Sequence, residues 1–183
     1  KLNSMTAADI SLKDLPLLSC DDSLQLAIDY MDDLKLTHYP VVDDGKFMGL
    51  IYEDAIYNAD NWLLSIRESK VRLPEIAVIT NDHFLQVVNK FIESNVSCIG
   101  IIDPKGHFTG VITRDSIVDV FGNSSIVQDS GSVLEILLAR NDYYLTEITR
   151  VIESTGVKIL GTYLRNAEST NQIILTVKLN ERS

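Results

Sequence analysis

The sequence is organised by an internal duplication. A shift of 61 positions aligns nine residues of one segment with identical residues of a second segment. The first set is Asp21, Leu24, Gln25, Gly45, Phe47, Gly49, Ile51, Asp54 and Ile56, and the second is Asp82, Leu85, Gln86, Gly106, Phe108, Gly110, Ile112, Asp115 and Ile117. One slip is needed within each unit, because Val41-Val42-Asp43 matches Ile101-Ile102-Asp103 at an offset of 60. A repeat of about 60 residues constrains the fold strongly, since both copies are expected to form the same elements.

Both copies predict the element order β-α-β-β-α. In the first copy we expect strands at 15–19, 39–42 and 47–52, a helix from Asp21 or Asp22 to about Lys35, and a helix over 53–58. In the second copy we expect strands at 76–79, 97–102 and 107–113, with helices over about 83–94 and 114–121. The apolar spacing of its first helix predicts a buried stripe of Leu85, Val88, Phe91 and Ile92. The linker 59–75 is expected to pack as a short helix through Trp62, Leu63, Leu64 and Ile66.

The last third of the chain has a different pattern. Residues 1–123 hold 19 acids and 10 bases, a net charge of −9, whereas residues 124–183 hold 7 acids and 6 bases, a net charge of −1. We therefore place a domain boundary between 123 and 124, with the repeats at about 15–58 and 76–121. The order predicted for 124–183 is β-α-β-β, with strands at 132–140, 157–165 and 172–179. Its helix, ended by Gly156, is expected to bury Leu145, Ile148, Val151 and Ile152.

Charge and composition exclude several classes of protein. The net charge of −10 over 183 residues argues against a nucleic-acid partner, which requires clustered Lys and Arg. Cys20 and Cys98 lack the spacing of a zinc site or a disulfide framework. The chain contains no apolar run of ~20 residues and no secretion signal near its start, so no membrane contact is expected. These features together favour a cytoplasmic protein.

The residues indicate no catalytic or metal site. No Ser/His/Asp or Cys/His arrangement, phosphate-binding glycine loop or catalytic carboxylate pair stands at a suitable spacing. The three histidines, His38, His83 and His107, share no metal-ligand spacing with acidic residues. We therefore expect a protein that is not an enzyme.

Two matching segments carry a resemblance to a known family. The strand Tyr39-Pro40-Val41-Val42-Asp43, the segment 49–56 (GLIYEDAI) and the segment 110–117 (GVITRDSI) resemble a tandem pair of CBS domains, a Bateman module, over about residues 1–122. The β-α-β-β unit that follows resembles an ACT domain of the ferredoxin-like order βαββαβ, without the final helix and strand. Because 180–183 looks like a turn into that helix, we expect an incomplete domain in a chain that continues past Ser183. The implied fold is an α/β (α+β) one, in which two β-α-β-β-α repeats pack as a pseudo-twofold pair before a βαββ unit. The combination resembles the bacterial acetoin-utilisation-type CBS–ACT proteins.

The resemblance implies an adenosine ligand in a cleft between the repeats. Thr113 matches the position that holds a phosphate, whereas Ser116 stands where the family has a ribose-binding Asp, and Asp115 lies one residue earlier. In the first repeat the same two positions are occupied by Tyr52 and Ala55, which together with local acidity disfavours a polyphosphate there. Without a ligand, Thr113 would serve to cap its helix. The residues that the resemblance places near the base are His38, Tyr39, Ile79, Thr80, Cys98, Ile99 and Gly100.

The resemblance also implies a function and an assembly. We expect a non-catalytic regulatory homodimer that senses an adenosine-containing metabolite such as AMP or ATP. Tyr143, Tyr144 and Tyr163 are the candidate dimer contacts of the ACT-like unit. The alternative is a purely structural dimerisation or protein-interaction module whose ligand sites have eroded.

Overall fold

The computed structural model describes residues 4–12, 14–168 and 171–181, so the turn expected at 180–183 lies partly outside them. The chain forms two compact units, Lys1–Asp119 and Val120–Ser183. The first unit contains both repeats. Its elements are α1 (Leu24–Leu34), β1 (His38–Asp43), β2 (Lys46–Tyr52), α2 (Glu53–Tyr57), α3 (Ile66–Ser69), β3 (Ala77–Ile79), α4 (Phe84–Ser94), β4 (Cys98–Ile102), β5 (Phe108–Thr113) and α5 (Arg114–Gly122).

The two repeats form separate small sheets. In the first repeat β1 and β2 are antiparallel, and in the second repeat β3 is parallel to β4, which is antiparallel to β5. The strand predicted at 15–19 was wrong in extent, because only a single parallel bridge between Leu18 and Val41 forms there. Pro16 lies in this segment and has no backbone N–H to donate to a longer ladder. The predicted order is otherwise confirmed for both copies.

The structure corrects the alignment of the two repeats. The carboxylates of Asp22 and Asp82 accept hydrogen bonds from the backbone N–H groups of Ser19 and Ile79, at 2.7 and 2.8 Å. These equivalent contacts differ by 60 positions, as do the two helices, whereas Phe47 and Phe108 on β2 and β5 differ by 61. The slip of one residue therefore lies in the hairpin turn, which is one residue longer in the second repeat.

The buried stripe predicted on α4 was right for Phe91 and wrong for Leu85 and Ile92. Leu85 is 59% exposed and Ile92 is 73% exposed, whereas Phe84, Val87 and Phe91 are buried. Leu85 and Ile92 each follow a buried Phe by one residue, which turns their side chains by ~100° away from the core, so apolar spacing alone did not identify the buried face. The linker prediction was wrong for Leu63, which is 81% exposed, although a short helix, α3, does form.

Each repeat is crossed by the segment that precedes the other repeat. The N–H of Leu50 donates to the carbonyl of Pro74 at 3.0 Å, and Leu12 and Val111 exchange backbone hydrogen bonds at 2.8 and 3.2 Å. Gly49 makes the first crossing possible: its φ is +130°, and a Cβ there would lie 2.5 Å from the Leu73 carbonyl oxygen. As a result, the segment that precedes the first repeat lies against the second repeat, and the segment that precedes the second repeat lies against the first.

The second unit is a three-stranded antiparallel sheet with helices. Its elements are α6 (Ser125–Gln128), β6 (Val133–Ala139), α7 (Leu145–Glu153), β7 (Ile159–Asn166) and β8 (Gln172–Leu179). The strand order β6-β8-β7 places β8 in the centre, which confirms the predicted ferredoxin-like βαββ arrangement. Ile173, Leu175 and Val177 of β8 are buried on one face. The buried stripe predicted on α7 was wrong: Leu145 is 39% exposed and Val151 is 65% exposed, while Ile148 and Ile152 are only half-buried. Val151 lies ~100° around the helix from Ile152, which turns it towards solvent.

Among the described residues, no helix is long and apolar enough to cross a membrane. The same residues include no cluster of three or more His, Cys, Asp or Glu side chains arranged to hold a metal ion. Cys20 and Cys98 are both buried and free.

Candidate ligand clefts between the two repeats

Two cavities lie between the repeats, and the duplication relates them. The second cleft, beside the N-terminus of α5, has a volume of about 180 Å³ and is lined by Leu12, Leu15, Leu34, Leu36, Thr113, Asp115, Ser116 and Asp119. The first cleft, beside the N-terminus of α2, has a volume of about 380 Å³ and is lined by Thr37, His38, Tyr52, Glu53, Asp54, Ser94 and Asn95. Tyr52 and Asp54 are the equivalents of Thr113 and Asp115 at an offset of 61.

The second cleft brings together the three residues of the predicted phosphate and ribose positions. The Thr113 hydroxyl oxygen accepts from the N–H of Ser116 at 3.2 Å, and the two hydroxyl oxygens lie 3.1 Å apart. The N–H of Thr113 in turn donates to the Ser116 hydroxyl oxygen at 3.4 Å. The helix-capping role expected of Thr113 in the absence of ligand is therefore present.

Charge in the second cleft is negative. Asp115 and Asp119 are one helical turn apart and both line the cavity. Within the described part of the chain, no Lys or Arg lines it. The apolar part of its lining consists of four leucines. Such a cavity suits an apolar ring on one side and hydroxyl groups on the other.

Five of the residues expected near the base lie elsewhere. Cys98 and Ile99 are fully buried in β4, and Gly100 packs against the Phe47 ring, which a Cβ at Gly100 would approach to 2.7 Å. Ile79 is the last residue of β3, and Thr80 lies in the turn after it. None of these five residues lines either cleft. Tyr39 is also buried, and its hydroxyl donates to the Pro16 carbonyl at 2.7 Å.

Sequence reasoning missed the leucine wall. Leu12 precedes the first repeat and Leu15 lies at its start, and the crossing of Leu12 beside Gly110 brings this segment to the second repeat. The signal available in the sequence was the pair of equivalent glycines, Gly49 and Gly110, each of which accommodates a crossing backbone. The structure therefore adds Leu12, Leu15, Leu34 and Leu36 to the candidate site.

The first cleft is larger and more polar. Burial raises the pKa of Tyr52, the charge of Asp54 raises it further, and Arg72 opposes them. His38 packs edge-on against the Tyr52 ring, with the ring centroids 4.3 Å apart. Burial lowers the pKa of His38, the charge of Asp54 opposes this change, and Arg114 adds to it.

The three tyrosines of the second unit occupy separate positions. Tyr144 precedes α7 and is 61% exposed, Tyr163 lies on β7 and is 49% exposed, and Tyr143 is half-buried. Tyr163 pairs with Thr176 across the sheet and shares a face with Glu135 and Arg165, which form an ion pair at 3.2 Å. All three side chains are therefore at least partly accessible.

The fold and the paired clefts define a CBS domain pair. The family model for the CBS domain matches residues 7–61 and 70–123, and the chain belongs to this family.

Two curated proteins have similar sequences. A homoserine O-acetyltransferase from Methanosalsum zhilinae is 28% identical over 123 residues, which is 67% of this chain and 25% of that protein. The UPF0053 protein YugS from Bacillus subtilis is 22% identical over 158 residues, which is 85% of this chain and 37% of that protein. The chain thus spans between a quarter and two fifths of these relatives' lengths.

Solved structures share the fold over the repeats. A CBS domain pair/ACT domain protein from Thermotoga maritima has a TM-score of 0.57 and 17% identity, and the match covers 64% of this chain and 96% of that one. CBSX2 in complex with AMP has a TM-score of 0.56 and 16% identity, with 63% and 95% covered. The CBS domain pair of protein MJ0100, in complex with 5′-methylthioadenosine and S-adenosyl-L-methionine, has a TM-score of 0.55 and 23% identity, with 66% and 98% covered.

Proposed function

We propose that this chain is a non-catalytic regulatory module that senses an adenosine-containing metabolite in the second cleft. The observation that carries this proposal is the composition of that cavity, which is lined by four leucines together with hydroxyl and carboxylate groups at the start of α5. An adenine ring has an apolar face for the leucine wall, and ribose hydroxyls donate to carboxylates.

The proposed ligand contacts are those that line the cavity. Asp115, Asp119 and Ser116 would meet the ribose, and Thr113 would meet the group attached to its 5′ carbon. Cys98, Ile99 and Gly100 would support the cleft from β4 without touching the ligand. Solved CBS pairs with the same fold hold AMP in one case, and 5′-methylthioadenosine and S-adenosyl-L-methionine in another, which supports an adenosine ligand of this kind.

A homodimer is the second part of the proposal. Leu85, Ile92 and Val118 are exposed beside a groove of about 400 Å³ between α4 and α5. An apolar patch is complementary to its own copy, as a twofold contact requires. The corrected register aligns Leu85 and Ile92 with Gln25 and Asp32, so the first repeat lacks this patch. In the second unit, the accessible Tyr143, Tyr144 and Tyr163 would add contacts.

Calorimetric titration tests the proposed ligand site. We expect AMP, ATP, 5′-methylthioadenosine or S-adenosyl-L-methionine to bind the full chain, and Leu36→Trp, which fills the second cleft, to abolish that binding. The matched control is Ala55→Trp, at the position of the first repeat equivalent to Ser116, which should leave binding intact. If none of the four compounds binds at millimolar concentration, or if Leu36→Trp binds normally, the proposal fails.

One observation favours the alternative of a purely structural interaction module. Thr113 and Ser116 each accept the backbone N–H of the other and share one bond between their hydroxyls, so both side chains have a capping role without ligand. This alternative predicts that the dimer forms and that no adenosine compound changes its stability. The titration above separates the two proposals.

A further inference from the structure

The two repeats meet at the starts of β1 and β4, around the side chains of His38 and Ser97. The Ser97 hydroxyl oxygen accepts hydrogen bonds from the backbone N–H groups of Thr37 and His38, at 3.1 and 3.0 Å. The Cys98 thiol donates to the His38 carbonyl at 3.1 Å. These bonds join residues about 60 positions apart in sequence and link one repeat to the other.

The protons at this contact can be assigned by counting donors and acceptors. A serine hydroxyl has two lone pairs and one proton, and both lone pairs of Ser97 are used by backbone N–H groups. Its proton therefore points elsewhere, and His38 Nδ1 lies 3.2 Å away. The backbone N–H of Ser97 also points at Nδ1 at 3.2 Å, and the Thr37 hydroxyl lies 2.9 Å from it.

One backbone N–H and two hydroxyl groups lie around one ring nitrogen. The N–H of Ser97 donates to Nδ1, which has a single lone pair in the ring plane, so this bond requires an unprotonated Nδ1 and a ring proton on Nε2. Protonation of Nδ1 removes that acceptor and leaves the N–H of Ser97 facing another N–H, whereas the bonds that the Ser97 oxygen and the Cys98 thiol make to backbone groups do not involve the ring. The imidazole bond of this contact therefore exists only while Nδ1 is unprotonated.

We propose that His38 is an acid-released clasp between the two repeats, closed by Ser97 while the imidazole is neutral and opened when Nδ1 takes up a proton. The clasp borders the first cleft, because His38 lines that cavity. Its opening changes how the two repeats are held together and adds a positive charge to the cleft wall.

The charges around the ring oppose each other. Asp54 and Glu53 on α2 line the same cavity and favour a cation, whereas Arg114 on α5 disfavours it. Arg114 is held near the ring by hydrogen bonds to the Val96 carbonyl at 2.8 Å and the Asn95 side-chain oxygen at 2.9 Å. Tyr52 on β2 and Cys98 on β4 are neutral neighbours, since burial raises both pKa values.

The sign of the pH dependence follows from these surroundings. Burial lowers the pKa of His38 in the folded chain, so the unfolded chain binds a proton at higher pH than the folded one. Stability from the clasp is complete above about pH 6.5, the ordinary histidine pKa, and is lost as the pH falls from there through the folded pKa.

Replacement of His38 by Asn tests the clasp. In His38→Asn the amide oxygen takes the place of Nδ1 as acceptor and cannot titrate. Between pH 7.5 and 5.5, we expect the protonation of His38 to lower the Tm of the wild type by about 2–4 °C. His38→Asn should lack this part of the decrease in Tm. The control, His83→Asn, replaces an exposed histidine outside this contact with a residue that keeps an acceptor at the helix cap, and should retain the component that His38 supplies.

A second measurement on the wild type does not depend on the folding of a variant. Long-range ¹H–¹⁵N correlation spectra at pH 7.5 should show His38 protonated on Nε2 with an unprotonated Nδ1. A proton on Nδ1, or equal pH profiles for His38→Asn and the wild type, would overturn the proposal.

Discussion

The hydroxyl oxygens of Thr113 and Ser116 lie 3.1 Å apart at the start of α5, and each accepts the backbone N–H of the other residue. This reciprocal cap closes the first turn of the helix from the side that faces the second cleft. The same residues thus serve the stability of α5 and the proposed ligand site. Substitutions that separate the two roles are therefore informative.

Replacement of Thr113 by Ala removes one half of this cap. We expect a loss of about 0.5–2 kcal/mol in the free energy of unfolding, because the N–H of Ser116 loses its acceptor. Urea denaturation followed by circular dichroism measures the change. Thr113→Ser keeps the hydroxyl and should retain most of the stability; an equal loss in both variants would contradict the capping role.

Replacement of Ser116 by Asp adds the ribose carboxylate that the family resemblance implies at this position. An Asp carboxylate can still accept the N–H of Thr113, so folding should be preserved. We expect about tenfold tighter binding of 5′-methylthioadenosine, which corresponds to ~1.4 kcal/mol for a charge-assisted hydrogen bond. Calorimetry measures the affinity. Ala55→Asp at the equivalent position of the first repeat should leave it unchanged, and weaker binding by Ser116→Asp would count against the proposed ribose contact.

Replacement of Gly49 by Ala tests the chain crossing. The added Cβ would lie 2.5 Å from the carbonyl oxygen of Leu73, and φ of +130° is strained for alanine. We expect a loss of about 2–4 kcal/mol in the free energy of unfolding. Gly45→Ala is the control, because no atom lies within 4 Å of a Cβ there, although its φ is +75°. The loss at Gly45 should be the smaller one, and denaturant titration of both variants decides this.

Replacement of Ile92 by Asp copies into the second repeat the residue that the first repeat has at the same helix position. Ile92 is 73% exposed, so the fold should tolerate the change, whereas a charge in an apolar dimer contact is costly. We expect the dimer dissociation constant to rise at least ~100-fold in sedimentation velocity. Asp32→Ala, at the matched position of the first repeat, should not change it. An unchanged assembly in Ile92→Asp would exclude this face.

Local patterns predicted the helices and most of the strands, since each follows from side-chain periodicity and turn residues. The same patterns did not identify correctly which face of α4 is buried. Apolar spacing placed Leu85 and Ile92 on the buried side of α4, because apolar residues occur on more than one face of that helix. The buried set Phe84, Val87 and Phe91 instead matches Leu24, Ala27 and Met31 of α1 at 60.

The residues of the candidate site were likewise predictable only in part. Thr113, Asp115 and Ser116 lie within one turn of a helix, so a local motif was enough to bring them together. The four leucines of the cleft come from segments about 80 to 100 residues away from Thr113, and no local pattern encodes such contacts. Ile99 and Gly100 had the apolar character of a cleft wall, but an apolar strand residue can equally well be buried beneath one.

By itself, the duplicated sequence determined that two β-α-β-β-α units form and that a βαββ unit follows, because hydrophobic periodicity acts over a few residues. Only the tertiary structure decided which segment crosses which repeat, which leucines line a cavity with Thr113, and that the N–H of Ser97 donates to His38 Nδ1. Those features depend on groups brought together by chain crossing, and their positions are set by the packing of the whole first unit.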